Sequence, residues 1–211
     1  MHPCTDDRSN QASRHLLGRR AAFSLLAGAV LAGLGACSGK EQFVSIDITG
    51  ADYATGFTLQ DHNGKERSLA DFKGKVVVLF FGFTQCPDVC PTAMTELAEV
   101  KKKLGKDGER LQGLFITLDP ERDTPELLKA YMANFDPSFL ALRGSLERTA
   151  EVAKHYKVFF KKSEGKTPGS YSIDHSTGSY VYDTQGRIRL YTRHGSGADG
   201  LVRDLKILLK A

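Results

Sequence analysis

The chain has 211 residues, 41% of them hydrophobic and 26% charged, which suits one ordinary globular domain plus a leader and leaves room for a real core. Its formal charge is only +4, residues 1–37 carry two of those units, and no Lys/Arg run exceeds the three of Lys101–Lys103, so nothing points to nucleic acid. Cysteines at 4, 37, 86 and 90 are too few for a disulfide scaffold, and a pair four residues apart in a core-sized domain reads as a metal or redox site.

Residues 21–36 form an apolar run behind Arg19 and Arg20. It falls short of the roughly 18 residues expected of a spanning helix and reads as the h-region of a signal peptide. The run ends at Leu34-Gly35-Ala36-Cys37 and turns polar at Ser38-Gly39-Lys40, a pattern similar to the lipobox of bacterial lipoproteins. Residues 1–37 are therefore expected to be a signal peptide ending in a lipidated Cys37, residues 38–52 a tether, and 53–211 the functional domain. Two acyl chains on Cys37 would satisfy the requirement for stable anchoring and hold the domain on the periplasmic face of the cytoplasmic membrane. An uncleaved anchor is the alternative and leaves the domain in the same place. Arg19-Arg20 followed by Phe23 keeps the general and twin-arginine export routes both open, and Cys4 reads as inert.

Along the domain, Phe57–Gln60 and Lys65–Ser68 flank Asp61-His62-Asn63-Gly64, which predicts an N-terminal β-hairpin turning at Asn-Gly and packed ahead of the main sheet. Val76–Phe81 is an unbroken apolar run, as in a parallel strand covered on both faces. Thr92–Leu104 places Leu97, Val100 and Leu104 at helical spacing, and Leu114–Leu118 is a second buried strand, which completes a βαβ unit. Thr124-Pro125-Glu126 supplies an N-cap, a first-position proline and a first-turn acid for a helix carrying Leu127, Leu128 and Tyr131. A short strand at Phe139–Leu142, a helix from Ser145 to about Tyr156 and a strand at Val158–Phe160 follow. Then come a polar stretch, Lys161–Ser170, and the segment Tyr171–Ser176. Tyr180–Tyr182 and Ile188–Tyr191 pair about a turn at Asp183–Gly186, and Leu201–Leu209 closes the chain as an amphipathic helix. The fold class these elements predict is α/β: a thioredoxin-like sandwich with a central, mostly parallel sheet, flanking helices and an N-terminal β-hairpin.

The chemistry concentrates where the buried strand runs through Phe83-Thr84-Gln85 into Cys86, Pro87, Asp88, Val89, Cys90 and Pro91. Ligands of open α/β sheets bind beyond the carboxyl ends of strands. Pro91 suits the first helical position, which leaves Cys90 at or near the N-cap, where free N–H groups favour a thiolate. Two thiolates with one imidazole make a soft, three-coordinate set suited to Cu(I), whereas zinc asks for a fourth ligand. The imidazole must come from elsewhere in the chain. His175 is the candidate, in a polar, turn-like segment just before the Tyr180 strand, while His62, His155 and His194 read as solvated surface residues.

Four blocks in order are similar to the Sco/SenC family of copper-delivery proteins: Asp71-Phe72-Lys73-Gly74-Lys75, Phe83 through Pro91, Asp119-Pro120-Glu121-Arg122-Asp123-Thr124-Pro125, and Asp174-His175-Ser176. The resemblance runs from about residue 53 to the end. It implies a thioredoxin fold, a copper ion bound by Cys86, Cys90 and His175, and delivery of that copper to the binuclear copper centre of cytochrome c oxidase subunit II. A second periplasmic copper carrier is the donor such a role calls for. The resemblance also makes Asp119, at the end of the second strand, a candidate for supporting the ligands, beside the plainer reading of an aspartate making a turn. A rival function stays open: a thiol-disulfide oxidoreductase that uses Cys86 and Cys90 on cysteines of oxidase subunit II or other exported proteins. Three residues rather than two between the cysteines, the absence of tryptophan, and the lack of a proline next to His175 count against it.

Overall fold

The computed structural model describes residues 42–165 and 167–210. The expected signal peptide, Cys4 and the lipobox with Cys37 lie outside the described residues. In chain order the strands are β1 (Ile46–Asp47), β2 (Leu59–Asp61), β3 (Glu66–Arg67), β4 (Val76–Gly82), β5 (Leu111–Thr117), β6 (Leu140–Arg143), β7 (Phe160–Glu164), β8 (Tyr171–His175), β9 (Ser179–Tyr182) and β10 (Ile188–Thr192). The helices are α1 (Val89–Lys103), α2 (Pro125–Ala133), α3 (Leu146–His155) and α4 (Ala198–Leu208).

Every residue of β4 and of β5 is buried, as a strand covered on both faces must be. The two pair in parallel from Val76↔Leu111 to Gly82↔Thr117, and β6 continues the parallel set on the far side of β5. The full order is β1-β10-β9-β4-β5-β6-β2-β3, with α1 packed against α4. The α/β sandwich is the architecture expected, but parallel pairing is confined to its β4-β5-β6 centre and both wings are antiparallel. The reason is connection length: β4 to β5 and β5 to β6 are bridged by α1 and α2, while β9 and β10 are joined by a tight turn that permits only antiparallel pairing.

The N-terminal hairpin does not sit ahead of the sheet. It extends the sheet, because β2 pairs with β6 through Gln60↔Arg143 and Asp61↔Leu142. Its turn is organised by Asp61, whose carboxylate accepts from the amides of Asn63 (2.8 Å) and Lys65 (3.0 Å) and from Arg67 Nε (2.8 Å). In that turn only Gly64 takes a positive φ, +81°, so Asn63 is not the left-handed residue expected there. Burial pushes the Asp61 carboxyl up, yet those three hydrogen bonds together outweigh it and hold the group below its usual value.

Two further departures bear on the site. From Gln42 onward the stretch expected to be tether belongs to the folded unit: Ile46–Asp47 pairs with β10, and the amides of Val44 and Ser45 both donate to the Asp204 carboxylate at 2.8 Å. The first part of the polar stretch, Lys161–Glu164, joins Phe160 in β7, which pairs antiparallel with β8 from Phe160↔His175 to Glu164↔Tyr171 as a separate two-stranded sheet. Of its ten strand residues only Ile173 is buried, so the alternation that advertises a strand is missing. Among the described residues no helix is long and apolar enough to cross a membrane.

Candidate metal centre

β4 ends at Gly82, the Leu118 amide closes on the Gly82 carbonyl (2.7 Å), and the chain turns so that the Cys86 amide reaches the Phe83 carbonyl (3.2 Å). The helix then starts earlier than expected. Its N-cap is Asp88, so Cys90 is the second helical residue and Pro91 the third, still within the first turn where a missing N–H breaks no helical bond. The Asp88 side chain makes no cap. Cys86 Sγ does that work instead, accepting the Cys90 amide at 3.4 Å. Both cysteines are free thiols, Cys90 fully buried and Cys86 half-buried.

Gly82 is required by this packing, because a Cβ there would lie 2.8 Å from Cys90 Sγ and 2.8 Å from the Phe115 ring. The loop is also clamped from the side. Asp123, fully buried, accepts from the Thr84 amide (3.1 Å), the Thr84 hydroxyl (2.5 Å) and the Thr117 hydroxyl (2.5 Å). Burial pushes its carboxyl up, against those bonds. Its position in the Asp119–Pro125 block carried no hint of this clamp, since the threonines it holds are 6 and 39 residues away.

His175 arrives at the end of β8 with Nε2 3.6 Å from Cys90 Sγ. Its Nδ1 lies 2.7 Å from the Ser176 carbonyl, an oxygen that can only accept, so Nδ1 carries the proton and the Nε2 lone pair faces the sulphur. Phe80 and Phe83 flank the ring edge-on at 6.1 and 6.0 Å. The ligand atoms of Cys86, Cys90 and His175 all lie within 4.8 Å of one another, which is close enough for one ion. Burial lowers the His175 pKa and keeps the ring neutral. The expectation of a thiolate at Cys90 is overturned: burial pushes its thiol far up, with Cys86 adding to the effect, and the amide at Phe83 does not offset it. Without metal, Cys90 carries its proton and donates it toward His175.

Asp119 is buried at the end of β5, and both its carboxylate oxygens are taken. The Tyr171 hydroxyl donates to Oδ1 at 2.8 Å and the Arg122 guanidinium to Oδ2. Arg122 in turn reaches Gln85 Oε1 and the Tyr171 carbonyl, each at 3.0 Å, and stacks on the Tyr171 ring at 3.6 Å. Asp119 thus ties, with Arg122, the first residue of β8 to the residue before Cys86, while its backbone carbonyl accepts from the amides of Arg122 and Asp123. Of the other described histidines, His194 is exposed as expected, while His62 and His155 make hydrogen bonds of their own. His62 accepts the Ala141 amide (3.2 Å), and His155 accepts the Thr55 amide (3.0 Å).

A family model described as SCO1/SenC matches residues 47–210. The chain belongs to the SCO1/SenC family. Among curated relatives it is 36% identical over 152 residues to the mitochondrial SCO2 homologue of Bos taurus, covering 71% of this chain and 57% of that protein. A SCO2-like protein of Rickettsia felis is 37% identical over 139 residues, 65% of this chain and 66% of its own length. The chain therefore spans less than two thirds of the mitochondrial relative's length. Among solved structures, Bradyrhizobium japonicum ScoI with copper bound superposes with a TM-score of 0.66 at 39% identity, over 72% of this chain and 97% of that one. The apo Sco1 protein of Thermus thermophilus gives 0.70 at 38% identity, over 81% and 99%. These SCO1/SenC neighbours share the thioredoxin-like sandwich expected from the sequence.

Proposed function

We propose that this SCO1/SenC protein binds one copper ion through Cys86, Cys90 and His175 and hands it on as cargo to the binuclear copper centre of cytochrome c oxidase subunit II. The observation that carries the reading is the convergence of two thiols and one oriented imidazole within 4.8 Å, on a fold whose 39%-identical relative was solved with copper bound. The donor set fits: two soft thiolates with a neutral imidazole suit Cu(I), while Cu(II) would seek a further, tetragonal position. Loading expels the Cys90 proton to solvent, and the acceptor meets half-buried Cys86 and His175 before it meets buried Cys90. Ligand exchange that begins at Cys86 and ends at Cys90 is the order this exposure favours.

Anchoring belongs to the same proposal. A diacylated Cys37 would hold the domain at the periplasmic face of the membrane, where the oxidase subunit and a copper-donating carrier meet it. Mass spectrometry of the mature protein tests this; an unmodified Cys37 in a released soluble chain would refute it.

The copper reading is tested by titrating the protein with Cu(I) and Cu(II), alongside Cys86→Ser, Cys90→Ser and His175→Ala. One ion per chain in the wild type, and loss of tight binding in both serine variants, is expected. Undiminished binding in the double serine variant sinks the assignment. The oxidoreductase alternative predicts instead that His175→Ala supports oxidase assembly normally under copper limitation.

A further inference from the structure

One edge of the large sheet carries a surface that copper binding does not use. β1 is an edge strand, paired only with β10. Just ahead of it and within it, Val44 and Ile46 are 51% and 43% exposed. The backbone that holds them out in water is fixed, since the Val44 and Ser45 amides donate to Asp204 on α4 and Ile46 pairs with Tyr191. Scattered aliphatic side chains on a surface need no explanation. What sets these two apart is what lies beside them.

α4 runs alongside: a Cβ on Gly200 would come within 3.0 Å of the Val44 side chain, and Asp204, one turn on, takes the Val44 amide. On that helix Arg203 and Lys206 are exposed, three residues apart on one face, and Lys210 follows four residues later in the turn after it. None of these three cations has an ion-pair partner among the described residues. The acids nearby are engaged: Asp204 by the two amides, Asp199 by Lys103 at 2.8 Å, and Asp47 by the Thr49 amide at 2.9 Å. Val44 follows Cys37 by seven residues, a span of at most about 25 Å. A bilayer holding a lipidated Cys37 would therefore lie within that reach of this face.

We infer that this face docks on the anionic surface of the membrane: Val44 and Ile46 enter the headgroup layer, and the stripe of Arg203, Lys206 and Lys210 meets lipid phosphates. The inference rests on the anchoring reading above. Acyl chains alone would leave the domain free to turn, whereas an apolar pair beside a basic stripe fixes the side that faces the bilayer. The bilayer is the occupant the chemistry fits, because aliphatic side chains next to unpaired cations match a layer of phosphates over hydrocarbon. The anchor also keeps that partner at high effective concentration.

The chain contains no tryptophan, so one introduced residue reports alone. The lipidated protein is reconstituted into vesicles of phosphatidylcholine, with or without phosphatidylglycerol, whose acyl chains are brominated to quench a nearby indole. Ile46→Trp is expected to shift to the blue and lose emission on the anionic vesicles, while Leu127→Trp, at an exposed site on α2, stays bright. Replacing Arg203, Lys206 and Lys210 by glutamine should lower the ratio of docked to undocked Ile46→Trp by about fivefold per cation removed. Raising the salt from about 0.1 to 1 M, which shortens the screening length from about 10 to 3 Å, should release it too. Tryptophan itself favours membrane interfaces, so hydrogen exchange of the wild type is the second measurement. Its β1 amides should exchange more slowly on anionic vesicles than on phosphatidylcholine alone. Equal quenching at both sites, no quenching of Ile46→Trp, or quenching and β1 exchange that ignore the three cations and the lipid charge each overturn the inference. Slowing of β1 exchange only when membrane proteins are added also overturns it and assigns the face to a protein. If the wild type does not float with the vesicles, the anchoring reading fails and this inference falls with it. Floating without quenching rejects the docking alone.

Discussion

Cys90 and His175 face each other across 3.6 Å, yet they are held by different means. Cys90 is part of the core: it is fully buried in the first turn of α1, against Gly82 at the end of a strand with no exposed residue. His175 ends a two-stranded polar hairpin whose links to the rest run through a few side chains: Tyr171 to Asp119, Arg122 to the Tyr171 carbonyl, and Lys162 to Glu121. The contrast teaches that one ligand is fixed inside the core, while the other rests on the rings of Phe80 and Phe83 at the end of a hairpin held by Ile173 and a short polar network. A metal carrier gains from such a pairing, since one ligand grips while the other can yield to an acceptor.

The sharpest way to break the comparison is to delete each ligand in turn. Cys90→Ser is expected to abolish tight Cu(I) binding, because it removes a soft anion, while His175→Ala leaves weaker binding through two thiolates. Chelator competition on both variants checks this, and equal losses would contradict the unequal roles. Next in size is the clamp: Asp123→Ala strands the Thr84 amide and the Thr84 and Thr117 hydroxyls, and should destabilise the protein by about 3 kcal/mol in urea unfolding. A loss below about 1 kcal/mol would show that the loop is held by packing alone.

The pH dependence sharpens the contrast further. Burial raises the Cys90 pKa and lowers that of His175, so at neutral pH the thiol must lose a proton on loading and the imidazole need not. Each thiol that gives up its proton on loading contributes about tenfold per pH unit, so Cu(I) affinity should climb with pH, and the Cys90 share should continue past the usual thiol range. A profile that is flat above neutral pH would mean Cys90 is already ionised. The smallest effect belongs to the histidine arm: Tyr171→Phe loses one hydrogen bond to a carboxylate, about 1.5 kcal/mol. That loss should appear as faster hydrogen exchange in β7 and β8 with little change in the global unfolding midpoint. An equal shift of the midpoint would show that the hairpin unfolds only with the core.

The amino-acid sequence by itself determined the buried β4 and β5 strands, the helix that follows the cysteine pair, the Thr124 and Ser145 caps and the α/β class. All of these rest on local signals: unbroken apolar runs, 3.6-residue spacing, and Ser, Thr or Pro at helix starts. It placed Cys86 and Cys90 at the carboxyl end of the central strand, and it named His175 firmly only through resemblance to the Sco/SenC blocks. Tertiary structure decided the rest. The β7–β8 hairpin has no apolar period to read, because it is held by Tyr171, Arg122 and Ile173 rather than by a buried face. The Asp123 clamp and the edge strand Ile46–Asp47, preceded by the Val44 and Ser45 amides on Asp204, join residues up to 160 positions apart. The protonated state of Cys90 was decided there too: helix-terminal amides favour a thiolate, but burial of the sulphur opposes it more strongly, and burial belongs to the folded whole.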